Sequence, residues 1–170
     1  MKLDFRELHK KFDGKVSCIK GCSKCCQKAE FIVLLPHEHK YLCDKVPEAK
    51  KYIITKKING KKIYLIQQPC PFLKEDMCDI KENRPFDCRA YPFDYCMFKG
   101  KIIILPSKCC PALNTISKQK VENISKIIIE TISKLDKKWV NSSILCGPCG
   151  NCRYDSECNL QGDIFNNEKW

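Results

Sequence analysis

The chain has 170 residues, a formal net charge of +11, 44% hydrophobic residues and 30% charged residues. This length suits one ordinary domain with one core, and this balance excludes a disordered chain. The longest apolar runs, FIVLL (31–35) and IIIL (102–105), are too short to cross a bilayer as a helix.

The start, MKLDFRELHKKFDGK, carries charge throughout and lacks the apolar centre of a secretory signal. A cytoplasmic protein with reduced thiols is therefore expected. The cysteine count is 15. An odd number argues against a fully paired disulfide framework, so the thiols point to metal.

FIVLL reads as a buried strand stopped by Pro36. HEHKYLCDKV (37–46) reads as a short helix with Tyr41, Leu42 and Val46 inward. YIITKK and KKIYLI flank Asn59-Gly60, the strongest short hairpin signal. A second strand pair is expected around IIIL. From Asn114 to about Trp139 the pattern predicts one long amphipathic helix. Its apolar stripe is Ile116, Val121, Ile124, Ile128, Leu135 and Trp139, with Asn114 or Thr115 as cap. The expected fold class is α+β: a small metal-stabilised domain (1–140) with a long C-terminal helix and a cysteine-rich extension (141–170).

The cysteines fall into groups with no simple repeat between them. The first is CIKGCSKCC: Cys18, Cys22, Cys25 and Cys26. Thiolates are soft donors suited to zinc and iron–sulfur clusters. Short loops aim backbone N–H groups at the sulfurs, and Gly21, Gly147 and Gly150 sit where such loops need them. Lys20, Lys24 and Lys28 are placed to lower the thiol pKa values. Neighbouring side chains diverge, so Cys25 and Cys26 are not expected to serve one tetrahedral ion. Cys18-x3-Cys22-x2-Cys25 resembles the cluster motif of radical S-adenosylmethionine enzymes. However, Lys24 replaces the usual aromatic residue, and 170 residues cannot supply their barrel.

The second group is CPFLKEDMCDIKENRPFDCRAYPF (70–93), followed by Cys96 and the pair Cys109 and Cys110. CSKCC followed by CPFL…C-x-I-x-x-x-RP-x-x-CR-x-YPF resembles the YkgJ-type family, named for its CxxCxxCC motif. That family is described as zinc- or iron-chelating, or as iron–sulfur oxidoreductases. The resemblance covers roughly residues 16–113. Ser23 stands where relatives often have glycine. A flagellin lysine methylase is similar in the cysteine region, which implies that some relatives use the cluster in catalysis.

The resemblance implies that Cys22, Cys25, Cys26, Cys78 and Cys88 converge on one site, with Cys18, Cys70 and Cys110 as further ligands. Arg84 and Arg89 flank Cys88 as cofactor-binding candidates, since a guanidinium offsets a negative cluster. The plainer alternative pairs them with Glu82 or Asp94. Tyr91 and Phe93 read as packing residues. Cys43 reads as a buried apolar residue. His9, His37 and His39 form no ligand pattern and read as surface residues.

The last group, CGPCGNCRYDSEC, places Cys146, Cys149, Cys152 and Cys158 at C-x2-C-x2-C-x5-C. This is enough for a local zinc or [4Fe–4S] site. The expected function is metal binding through an iron–sulfur cluster, as a redox component or cluster-dependent enzyme. That enzyme would be an oxidoreductase or would use S-adenosylmethionine. The alternative is a structural-zinc module that binds a protein or nucleic acid. The basic residues are dispersed and no base-reading module is visible, which disfavours nucleic acid.

Overall fold

The computed structural model describes residues 3–13, 15, 19–28, 31–98, 101–107 and 110–142. The described helices and strands are α1 (Phe5–Lys10), α2 (Lys24–Lys28), β1 (Phe31–Leu34), α3 (Glu38–Lys45), β2 (Ile53–Ile58), β3 (Lys61–Gln67), β4 (Leu73–Lys74), β5 (Met77–Cys78), α4 (Phe86–Ala90), β6 (Phe93–Phe98), β7 (Lys101–Pro106), α5 (Lys118–Ser133) and α6 (Lys137–Ser142). This is the expected α+β class.

The main sheet runs β1-β3-β2, all antiparallel. Its hairpin is the one that Asn59-Gly60 predicts. Both turn residues have positive φ, 47° and 77°, as a tight two-residue turn matched to strand twist requires. β6 and β7 form the second strand pair, also as expected.

Strand alternation explains the core. Val33 and Leu35 from the β1 segment, with Ile63 and Leu65 of β3, face one side. There they meet α1, α4, α5, α6 and the β6–β7 hairpin, through Phe5, Phe12, Phe86, Tyr95, Ile124, Ile128 and Trp139. Ile32, Leu34 and Ile66 face the other side, where Leu42, Val46, Ala49, Phe72 and Ile80 complete a smaller core. The sheet thus separates two apolar clusters. Each fully buried aliphatic or aromatic side chain contributes about 1.5–3 kcal/mol.

The expected long helix is not continuous. Residues 111–115 form a 3-10 turn, α5 starts at Ser117, and the chain breaks at 134–136 before α6. The Ser117 hydroxyl caps α5 by accepting from Lys120 N, so neither Asn114 nor Thr115 is its cap. At the break, the Asp136 carboxylate accepts from Trp139 N at 2.7 Å and pairs with Lys61 at 3.3 Å. A short acidic side chain that bonds nearby backbone starts a new helix instead of extending the old one. The stripe itself is core: Ile124, Ile128 and Trp139 are buried, as are Ile127, Ile132 and Val140.

His9 is buried, only 5% exposed, not a surface residue. Its Nε2 lies 3.4 Å from Glu38 Oε1. Glu38 is 1% exposed and also accepts from Leu35 N and Phe86 N. Burying that carboxylate is affordable because both oxygens accept hydrogen bonds. His37 is exposed and His39 stacks on Tyr64, with ring centroids 3.7 Å apart. Cys43 is half-buried rather than buried. Among the described residues, no helix is long and apolar enough to cross a membrane.

Candidate metal centre

The smaller core carries the cysteines. Cys25, Cys70, Cys78, Cys88 and Tyr91 all pack against it. Cys25 and Cys26 sit in the first turn of α2, and Cys22 precedes them in a turn closed by Cys22 N to Ile19 O, 3.0 Å. Gly21 holds φ of 77° there.

Two bonds dock α2. Cys70 N donates to Cys26 O at 2.8 Å. The Ser23 hydroxyl donates to Asp76 at 2.8 Å and accepts from the Gln27 amide at 2.7 Å. Asp76 lies in the turn between β4 and β5, so Ser23 ties the CSKCC segment to the hairpin that ends at Cys78. The Ser23 hydroxyl thus joins two cysteine segments.

Cys88 is placed from behind. Its neighbour Asp87 is buried and accepts from Val33 N at 3.0 Å and from the Tyr95 hydroxyl at 3.3 Å. With Phe86 N on Glu38, these bonds fasten α4 to the sheet and fix the position of Cys88.

Cys70 and Cys110 occupy matching turns, Cys-Pro-Phe-Leu and Cys-Pro-Ala-Leu. In each, the leucine N donates to the cysteine carbonyl, at 3.1 and 3.0 Å. In each, the backbone N–H groups two and three residues on pull the thiol pKa down without offsetting its net rise. This Cys-Pro-x-Leu repeat stands in the sequence at 70–73 and 110–113. Gly147 and Gly150 lie outside the described residues.

The thiols lie within reach of one another. Cys25 and Cys26 sulfurs are 3.9 Å apart, so these neighbours do not diverge. Cys26 is pushed up to about 12, first by its hydrogen bond to Cys25, while its bond to Cys70 pulls the other way. Cys70 is raised first by Cys26 and then by burial. Cys88 keeps part of its surface open, yet dense surrounding packing is the leading cause that holds it well above the ordinary thiol value. The charges of Asp87, Cys70, Cys26 and Cys78 add to that. Cys110 is raised first by burial, and the proximity of Cys22 adds to this. No lysine is among the leading causes for these four thiols, contrary to the expected effect of Lys20 and Lys24.

Cys22, Cys25, Cys26, Cys70, Cys78, Cys88 and Cys110 are thus gathered from separate chain segments. Among the described residues, no three such side chains surround one point closely enough to hold an ion. The closest approach shown is one pair, Cys25 and Cys26, with sulfurs 3.9 Å apart. The chemistry of the donor set fits metal, because soft sulfurs with amide donors behind them stabilise thiolate charge.

Arg89 serves neither a sulfur nor the carboxylates of Glu82 or Asp94 in its described bonds. It donates to the carbonyls of Glu82 (2.6 Å) and Arg84 (2.9 Å), and lies 3.7 Å from Asp13. Arg84 Nε donates to Lys81 O at 3.2 Å. Both arginines brace the loop ahead of Cys88. Phe93 is core packing, as expected; Tyr91 packs on the edge of the smaller core, with its hydroxyl 3.5 Å from Ser107 Oγ. Cys18, Cys109, Cys146, Cys149, Cys152 and Cys158 lie outside the described residues. No protein-family model, curated protein or solved structure matches the chain.

Proposed function

We propose that this is a metal-binding protein whose converging thiols carry an iron–sulfur cluster, acting as a redox component or cluster-dependent enzyme. The observation that supports this is the packing of Cys25, Cys70, Cys78 and Cys88, from separate chain segments, against one small core, with the Cys26 sulfur 3.9 Å from that of Cys25. The set exceeds the four ligands that one structural zinc needs. Donors to the sulfurs are also a lever by which proteins set cluster potentials.

One observation favours structural zinc instead. Two ligands of a tetrahedral ion with Zn–S of about 2.3 Å lie about 3.8 Å apart, and the Cys25 and Cys26 sulfurs are 3.9 Å apart. Metal and acid-labile sulfide content of protein purified without oxygen separates the two. Iron with sulfide in similar amounts supports the cluster. Zinc without sulfide supports the structural module and directs attention to a macromolecular partner. Absence of both metals sinks the proposal.

A further inference from the structure

The two edges of the main sheet are β1 and β2. The turn at Asn59-Gly60 sets the alternation along β2. The pair flanking a two-residue turn, Ile58 and Lys61, exchanges hydrogen bonds. Ile54, Lys56 and Ile58 therefore bond β3, while Thr55 and Lys57 turn their N–H and C=O groups outward. The same alternation turns Val33 N outward on β1, where the Asp87 carboxylate accepts it at 3.0 Å. A carboxylate thus closes one edge of the sheet. The other edge has no such acceptor: among the described residues, β3 is the only strand paired with β2, and no side chain bonds Thr55 or Lys57.

Lys56 and Lys57 are exposed and point to opposite faces of that edge. Lys57 stands directly opposite Lys62, a like-charged cross-strand pair. Lys61 pairs with Asp136 at 3.3 Å, but none of Lys56, Lys57 and Lys62 has an acidic partner among the described residues. We propose that the β2 edge is a docking site for an acidic extended segment of a partner protein, which adds as a further strand and sets carboxylates against Lys56 and Lys57. The outward backbone groups of Thr55 and Lys57 supply affinity, and the two lysines supply selection. The same charges reject a second copy of β2, since antiparallel addition would set lysine against lysine. None of this depends on bound metal.

The test uses the full chain, reduced, with a fluorescently labelled peptide in which two consecutive glutamates are flanked by threonine and valine. Wild type is expected to raise the anisotropy of this peptide and to ignore the same peptide with lysines in place of the glutamates. Thr55→Pro leaves every charge in place and removes one outward N–H, a change that an edge strand tolerates. It should weaken binding about tenfold. Lys56→Glu combined with Lys57→Glu should lose the acidic peptide and gain the lysine one. Binding that survives Thr55→Pro unchanged is attraction by charge alone, as a nucleic acid would show, and overturns the inference. So does failure of wild type to bind the acidic peptide. Self-association that the peptide cannot displace gives the edge to a second copy and overturns it too. Should Thr55→Pro not fold, amide exchange in wild type decides. Slowed exchange at Thr55 and Lys57 on adding peptide supports strand addition, and unchanged exchange overturns it.

Discussion

The two faces of the three-stranded sheet do different work. One face holds a broad aliphatic and aromatic core, from Phe5 through Phe86 and Tyr95 to Trp139, sealed by helices. The other holds a small core fringed by Cys25, Cys70, Cys78 and Cys88. The first closes by burying apolar surface. The second is smaller, and its thiols are raised by burial and by one another. Shared residues join them: Glu38 and Asp87 use buried carboxylates to fix both the sheet and α4. The apolar face therefore acts as a foundation that places the cysteine-bearing edge.

The sharpest way to break this comparison is Cys88→Ser. In metal-loaded protein it should remove metal from the first site, and ligation contributes on the order of 10 kcal/mol to a small domain. The metal-free form should change little. Metal content and melting temperature of both forms check this. Full metal retention would remove Cys88 from the ligand set. Phe86→Ala strikes the foundation instead. Phe86 is 0% exposed, so the loss should be about 3–5 kcal/mol, and it should appear with and without metal in denaturant titrations.

A pH series sharpens the contrast. Cys26 is raised from an ordinary 9.0 to about 12, so the folded metal-free protein keeps a proton that the unfolded chain loses first. Its stabilising effect is whole below about pH 9 and is lost as pH rises towards 12. Metal binding runs the other way, since each displaced thiol proton strengthens affinity about tenfold per pH unit. Opposite slopes in apo stability and metal affinity are the expected result.

Smaller effects probe the edges. Ser23→Ala removes the bond to Asp76 and should cost about 1 kcal/mol, with metal affinity falling more than apo stability. Glu75 sits at φ 46°, where an ordinary residue is strained by about 1–2 kcal/mol. Glu75→Gly relieves that but loses about 0.5–1 kcal/mol of chain entropy. A net gain of roughly 0.5 kcal/mol is expected by thermal melting.

Local chemistry made much of the fold legible from the sequence alone. Asn59-Gly60 announces the hairpin because its turn needs positive φ at both residues. FIVLL must be buried on both faces, and α3 follows Pro36. The abundance of thiols and the CPFL and CPAL turns are likewise written in the chain. Tertiary structure alone decided the rest, because distant groups set it. Asp136 broke the long helix by capping toward Trp139 and meeting Lys61 across the chain. His9 is buried because Glu38, twenty-nine positions away, can meet it. Arg89 turned to carbonyls rather than to sulfur, and the Tyr91 hydroxyl came to lie near Ser107. Sequence spacing tells which thiols are near along the chain; only packing across the sheet brings Cys26 to Cys70 and Cys88, since no local pattern encodes that approach.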